Sequence, residues 1–577
     1  MARRTPHEPT GRRRHRGRGQ GPTVRHLWMV LAALAPVGAF IRALSGGWQP
    51  EGDDATIVLR AREILHGEIP LQGMRSTAGA EANPNHHLGP LELHSLMPAG
   101  MIATGWAVAL MCVAVAVLCS VAAVHWAHRF GRDPGVVVFG SGVLLVQAAI
   151  GPEALFRPFN PYFGLLPLYL ALVLLIALFA RTPGVGWPLV LTTGIIAQAN
   201  LAYAPIGLGI AAIALAFSGW DRLRRRSTLP RRRSFSRSAI AAMRCTGRRR
   251  LRRMSAPPSR LTLSRGAIAT VVIAVIVWAP VLVEPLRHRP GNLEQLAQVA
   301  LSGEPAQGPM WAVRRLGLMV PLPGGFRPLG PNLIYEPMLG AGFWPWLVVG
   351  VLLVAVIPWG LARDRSRATI PAAVALLATA LLIATLAQLP VDGLANHYLA
   401  SVIPVAVFAW AALAWRALLH FRDLPRHFSR LVASRIAVAA SIIAMGLAFQ
   451  TTPPNFTGSD LGRQASGLVL SKVGEMPAGT HVVIGGRGFL ASLSTAPAVA
   501  LQLEKRDYRA HYLFPWPTSE DAERLATTAA PNNSIRIHLV GSDAEDKHPP
   551  DGSRYLGRAQ TTSADSVAVY IEVPTED

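Results

Sequence analysis

Long apolar runs alternate with short polar connections through the first three quarters of the chain. Runs near 27–44, 106–126, 136–150, 165–180, 187–203, 206–220, 267–283, 343–361, 370–389, 398–419 and 436–449 predict about eleven membrane-spanning helices. Several are shorter than the roughly 20 residues an untilted helix needs. For the first run a cleaved signal peptide is the rival reading. A retained helix is preferred because it would hold the acidic stretch that follows beside the membrane. Ile57–Leu65 and LELHSLMPAGMIA after Pro90 predict two further helices lying on, or partly in, the membrane surface. Beyond about Gln450 the pattern changes. THVVIGG, YRAHYLF, SIRIHLVG and VAVYIEV read as strands, with helical patterns over Leu461–Val473 and Phe489–Glu504 between them.

The fold class that follows is an α-helical polytopic membrane protein with a small C-terminal α/β domain. Residues 1–26 read as a basic, disordered cytosolic tail. Residues 27–449 form the transmembrane domain, with large outer loops at 45–95 and 284–340 and an Arg-rich inner loop at 220–265. Residues 450–577 make the extracytoplasmic domain.

Composition agrees: 577 residues, 51% hydrophobic and 15% charged, with a mean hydropathy of +0.32. The net charge of +23 would suggest nucleic acid if it lay on one folded surface. Instead it sits between apolar runs, in RRTPHEPTGRRRHRGRGQ and in Asp221–Arg265, which holds sixteen arginines against one acid. That is the positive-inside pattern of a multi-pass plasma-membrane protein, with its N-terminus cytoplasmic and its partner a lipid bilayer rather than nucleic acid. An odd number of spans keeps the arginine groups on one side and puts the C-terminal domain outside. Cys112, Cys119 and Cys245 lie in or beside spans and in a basic loop, so neither a disulfide framework nor a thiolate metal site is available.

Reactive side chains concentrate in Gly46–Pro90, GGWQPEGDDATIVLRAREILHGEIPLQGMRSTAGAEANPNHHLGP. Glu51, Asp53 and Asp54 fall together, and His86 and His87 precede Gly89-Pro90. Two adjacent carboxylates raise each other's pKa and can act as a general base, or could hold a divalent cation with His86 and His87. A solvated turn or a helix cap is the plainer alternative. The predicted spans are almost free of Asp, Glu, Lys and Arg. Polarity therefore favours chemistry at the outer surface over transport across the membrane.

E-G-D-D-A-x-x-x-L-R-A, then H-H-x-G-P-L-E, R-x-F-N-P-Y, Q-A-N-L-A-Y and W-A-P-x-L-x-E-P-L-R-x-R-P-G-N-L, between about Trp48 and Leu293, resemble actinobacterial integral-membrane glycosyltransferases of the GT-C superfamily. The resemblance implies a hexosyl- or pentosyltransferase that uses a sugar on a polyprenyl phosphate, acts on the outer face, and serves a cell-envelope acceptor that is a glycan, lipid or protein. It implies that Asp53 or Asp54 takes the proton of the acceptor hydroxyl. The phosphate left behind needs cations, for which Arg157, Arg75, Arg287 and Arg289 are candidates, Arg157 first.

His86 and His87 are candidates for the donor phosphate; Glu51, Asn160, Gln198 and Asn200 for substrate contacts; and Glu153 for a second acid. For Gln198 and Asn200 an interhelical hydrogen bond is the competing role. Two features depart from the family: Leu88 and Leu91-Glu92-Leu93-His94 replace a Pro and an aromatic, and Asn200 stands where a His is common. A lipid-linked-sugar flippase and a non-catalytic glycan-binding assembly factor are the alternatives.

Overall fold

The computed structural model describes residues 24–76, 85–227, 265–301, 306–315, 351, 366–389, 391, 396–421, 435, 439, 442, 446, 459–474, 476–512, 530–561 and 565–574. Most of the expected basic tail, most of the Arg-rich loop, and most of the expected spans over 343–361 and 436–449 lie outside them. Helices α1 (Val24–Ser45) and α2 (Asp53–Arg62) are followed by strands β1 (Arg75–Ser76) and β2 (Asn85–His86). Next come α3 (Leu91–Ile102), α4 (Gly105–Ile150), the short α5 (Glu153–Phe156) and α6 (Asn160–Phe163), α7 (Leu165–Phe179), α8 (Gly186–Ala199) and α9 (Ala204–Ser227). After the Arg-rich segment come α10 (Arg265–Arg287), α11 (Asn292–Leu301), α12 (Gly308–Arg315), α13 (Ser366–Ala387) and α14 (Val402–Phe421).

Seven helical stretches among the described residues are long and apolar enough to cross a membrane. One of them, α4, is two arms. Gln147 Nε2 donates to Ser120 Oγ at 2.9 Å, whereas a straight helix would hold residues that far apart in sequence about 40 Å apart. The reversal occurs at Arg132, whose φ of 56° breaks the helix two residues before Pro134. The expected spans over 106–126 and 136–150 are thus the two arms, and HRFGR is their turn. Gln147 Nε2 also donates to Ala32 O at 2.8 Å, fixing α1 against α4. α8 is shorter than its expected span, with 14 residues before a 3₁₀ turn at Leu201–Tyr203.

The bundle has two chemically different ends. At one, Arg129 Nη2 donates to Pro183 O at 3.2 Å and Arg181 pairs with Asp221 at 2.7 Å. The other carries α2, α3, α5 and the C-terminal domain.

Helix α2 corrects one expectation. Ile57, Val58 and Leu59 are fully buried, so α2 itself lies under protein rather than on lipid, while Leu65 at the end of the expected stretch is exposed. Both α3 and the helix Ala496–Glu504 of the C-terminal domain pack against α2. Burial of its arginines is tolerated because each has acceptors: Arg60 Nη1 donates to Glu63 Oε1 at 2.9 Å, and Arg62 Nη1 to Gly100 O at 2.7 Å.

The C-terminal domain comprises α15 (Ser459–Val473), β3 (His481–Arg487), α16 (Ala496–Glu504), β4 (Arg509–Tyr512), β5 (Ile535–Gly541), β6 (Arg554–Gln560) and β7 (Ser566–Glu572). Its sheet runs β4-β3-β5-β7-β6, parallel across β4-β3-β5 and antiparallel across β5-β7-β6. The four expected strands are present. β6 is the additional one, an edge strand whose mostly exposed residues lack apolar alternation. Leu501 of α16 and Ile57 of α2 belong to one continuous buried apolar cluster, so the domain docks directly on the acidic helix.

Candidate active site

The site begins where the first connecting loop meets the C-terminal domain. Gly52 adopts φ 53°, a left-handed conformation that glycine tolerates, and its N–H donates to Ser494 O at 2.9 Å. Glu51 O accepts from Asp54 N at 3.0 Å, so Asp53 and Asp54 open α2 and place their carboxylates at the positive end of its dipole.

The two acids are not equivalent. Asp54 is buried, with a side chain 2% exposed, and its Oδ2 accepts from Arg157 Nε at 2.7 Å. Its Oδ1 has no partner among the described residues. Arg157 Nη1 lies 3.5 Å from Glu153 Oε2, and the guanidinium sits over the Phe159 ring. Asp53 keeps its side chain exposed at the same helix start.

Electrostatics follows the geometry. The surrounding protein, then the Asp54 charge, push the Asp53 carboxyl up to about 6 against the pull of Arg157. Burial raises Asp54, against the opposing pull of Arg157. Burial pushes Glu51 up to about 8. Burial also works against the Arg157 charge, yet Asp54 more than compensates and holds the guanidinium above its ordinary value.

The histidines occupy a separate, rigid corner. β1 pairs with β2 so that Arg75 lies opposite His86. His86 N–H donates to Asn292 Oδ1 at 2.9 Å, and Asn292 Nδ2 donates to His86 O and His87 O, each at 3.3 Å. Asn292 N–H in turn reaches the buried Glu284 at 3.0 Å, and Gln72 Nε2 donates to Glu284 Oε1 at 2.6 Å. His87 Nδ1 accepts from Leu201 N–H at 3.1 Å, which leaves the ring proton on Nε2. Burial, then nearby His397, push His87 down to about 3, so it offers one N–H and no charge.

The expected cation site shared by Asp53, Asp54, His86 and His87 is not assembled, and no group of three metal-ligating side chains occurs among the described residues. Asp54 is held by Arg157, while the histidines are held by backbone and Asn292. Gln198 bridges helices, donating through Nε2 to Val277 O at 2.9 Å and accepting Leu91 N–H at 3.3 Å. Asn200 Oδ1 accepts Ala202 N–H at 2.9 Å and caps the 3₁₀ turn. Asn160 is buried at the start of α6. Arg287, the last residue of α10, and Arg289 just after it are exposed.

Sequence reasoning passed over Glu92, Glu284 and Asn292. Glu92 is 4% exposed with Oε1 unpartnered among the described residues, and burial, then Asp54, raise its carboxyl well above the usual range. It shares the buried face of α3 with Leu96, Ala99 and Gly100, a 3.6-residue period readable from sequence. Glu284 and Asn292 stand inside E-P-L-R-x-R-P-G-N-L, whose arginines alone attracted notice.

No family model and no curated protein matches the chain. Several solved structures do. The crystal structure of ArnT from Cupriavidus metallidurans bound to undecaprenyl phosphate superposes with a TM-score of 0.53 at 13% identity, covering 95% of this chain and 98% of that one. The apo ArnT structure gives 0.50 at 14% identity, covering 94% and 97%. The likeness is one of fold. It extends over nearly the whole length of both chains, C-terminal domain included. A weaker likeness, TM-score 0.43 at 15% identity, is to the archaeal oligosaccharyltransferase AglB from Archaeoglobus fulgidus in complex with an inhibitory peptide and a dolichol-phosphate, covering 89% of this chain and 69% of that one.

Proposed function

We propose that the chain is a GT-C-type membrane glycosyltransferase that moves a sugar from a polyprenyl-phosphate donor to an extracytoplasmic cell-envelope acceptor. The observation that carries this reading is the division of labour in the acid pair: Asp54 is tied to Arg157, and Asp53 is left facing solvent at the head of α2. Kinship of fold with a protein solved bound to undecaprenyl phosphate supports the donor class.

In this reading Asp53 is the general base. An acceptor hydroxyl oxygen attacks the anomeric carbon, its proton passes to an Asp53 carboxylate oxygen, and the bond from that carbon to the phosphate oxygen breaks. The polyprenyl phosphate leaves with the bonding electron pair. Arg157 supplies positive charge for it: Asp54 fixes the guanidinium through Nε, while Nη2 has no protein partner among the described residues. Asp54 is thus a positioning residue, and Glu153 steadies the far side of the same guanidinium.

The test is transfer of radiolabelled sugar from a panel of polyprenyl-phosphate sugars into a membrane acceptor fraction by the inserted wild-type protein. Transfer from one donor class supports the assignment, and no transfer from any donor contradicts it.

A further inference from the structure

Outside the acid pair, polar side chains gather at the seam between the first loop and the C-terminal domain. A cavity of about 170 Å³ opens there, walled by Gln49 and Glu51 on the loop, Arg463, Ser466 and Gly467 on α15, and Gln502 on α16. Glu51 is 8% exposed; its Oε2 accepts Gly462 N–H at 3.4 Å, but its Oε1 has no partner among the described residues. An unsatisfied, buried oxygen in a cavity wall is costly unless a ligand or water completes it.

The wall mixes hydrogen-bonding types without a dominant charge. It holds two amides joined to each other, Gln502 Nε2 donating to Gln49 Oε1 at 3.3 Å, a Ser466 hydroxyl that donates to Gly462 O at 2.6 Å, one guanidinium that Asp460 already pairs at 2.6 Å, and the Glu51 carboxyl with its open Oε1. Apolar surface comes from Pro50, Leu470 and Ala498. Polar rims with an apolar patch suit a neutral sugar ring, which carries hydroxyls at its edge and C–H groups on its face. The volume accommodates one ring rather than a long glycan. Gly467 has nothing within 4 Å of where a Cβ would stand, so its position is open space.

We propose that this seam is an acceptor subsite for a neutral sugar residue, with Glu51 as its buried hydrogen-bonding group. The proposal rests on the glycosyltransferase reading and names where the acceptor is held. Glu51 precedes Asp53 by two residues on the same loop. A sugar bound here lies beside the proposed base, and the C-terminal domain is thereby part of the acceptor site.

The experiment is direct binding, independent of turnover. Purified full-length protein in detergent is mixed with methyl glycosides of common neutral hexoses and pentoses, and saturation transfer to each is recorded. At least one glycoside gives a signal with wild type. Gly467→Leu, which fills the cavity, and Glu51→Gln each reduce it tenfold or more. Ser471→Leu, which puts the same side chain at an exposed position of the same helix outside the cavity wall, keeps it. No glycoside signal with wild type overturns the proposal, as does a signal that survives Gly467→Leu. Sugar transfer from a lipid donor alongside a negative binding result would leave the enzyme reading standing and remove only the subsite.

Discussion

Arg157 Nε donates to Asp54 Oδ2 at 2.7 Å, joining the loop after α5 to the first turn of α2 across 103 positions of sequence. Since Asp54 is nearly inaccessible to water, the pair is far from an ordinary surface ion pair. Removing one partner of a buried pair costs about 3–5 kcal/mol, because the other is left uncompensated. Arg157→Ala is therefore expected to lower the thermal midpoint as well as abolish transfer. Arg157→Lys, keeping charge but losing the fork, should recover part of the midpoint and little turnover. Equal loss of both properties in the two variants would contradict a directional role for the guanidinium.

Activity should fall on the acid side. Asp53 acts as a base only when ionised, and its carboxyl is raised to about 6. kcat is expected to drop as pH falls through that value and to level off above it. A rate independent of pH between 5 and 8 would argue against Asp53.

Glu51 gives a stability signature of the opposite sense. Its folded-state pKa is about 8 against 4.5 for the free group, so the folded protein holds a proton that the unfolded chain has released in between. Stability from this group is fully present below pH 4.5 and declines as pH rises towards 8. The thermal midpoint should fall across that window, and Glu51→Gln should flatten the slope. An unchanged slope would mean that Glu51 is ionised in the folded state.

Much of this was legible in sequence. Apolar runs mark the long helices, arginines mark the turn at Arg132, and the residue pattern alone points to Asp53, Asp54 and Arg157, whose contact only the fold shows. Other features were hidden because they depend on which partner an atom meets. Gln198 and Asn200 carry sugar-binding chemistry in principle, yet both polar atoms of Gln198 meet Val277 and Leu91, and Asn200 Oδ1 meets Ala202. The pattern of α2 reads as a surface helix, since nothing local announces that α16, more than 430 positions on, will cover it. Asn292 organises both histidines through backbone atoms, which no side-chain motif encodes.

His87 accepts a hydrogen bond through Nδ1, so an acceptor of similar reach preserves the turn. His87→Asn is expected to keep the fold, whereas His87→Ala orphans Leu201 N–H at a cost of about 1–3 kcal/mol. Thermal midpoints of the two variants decide this. Equal midpoints would mean that the bond contributes nothing.

Docking of the C-terminal domain can be tested at Arg62, which reaches Gly100 O, Glu504 O at 3.3 Å and Glu504 Oε2 at 3.5 Å. Arg62→Met leaves Glu504 facing a buried seam without its cation. Amide hydrogen exchange in α16 should accelerate, with little change in α7. Unaltered exchange in α16 would show that apolar packing alone holds the domain.

The most direct test of the central claim is sugar transfer by Asp53→Asn from whichever polyprenyl-phosphate donor serves the wild type. An exposed carboxylate contributes little to folding, so the variant should insert and melt as the wild type does. Its kcat is expected to fall by about 10²–10⁴-fold, the usual contribution of a general base. Transfer within a few-fold of wild type by the properly inserted variant would contradict the assignment of Asp53 as the base.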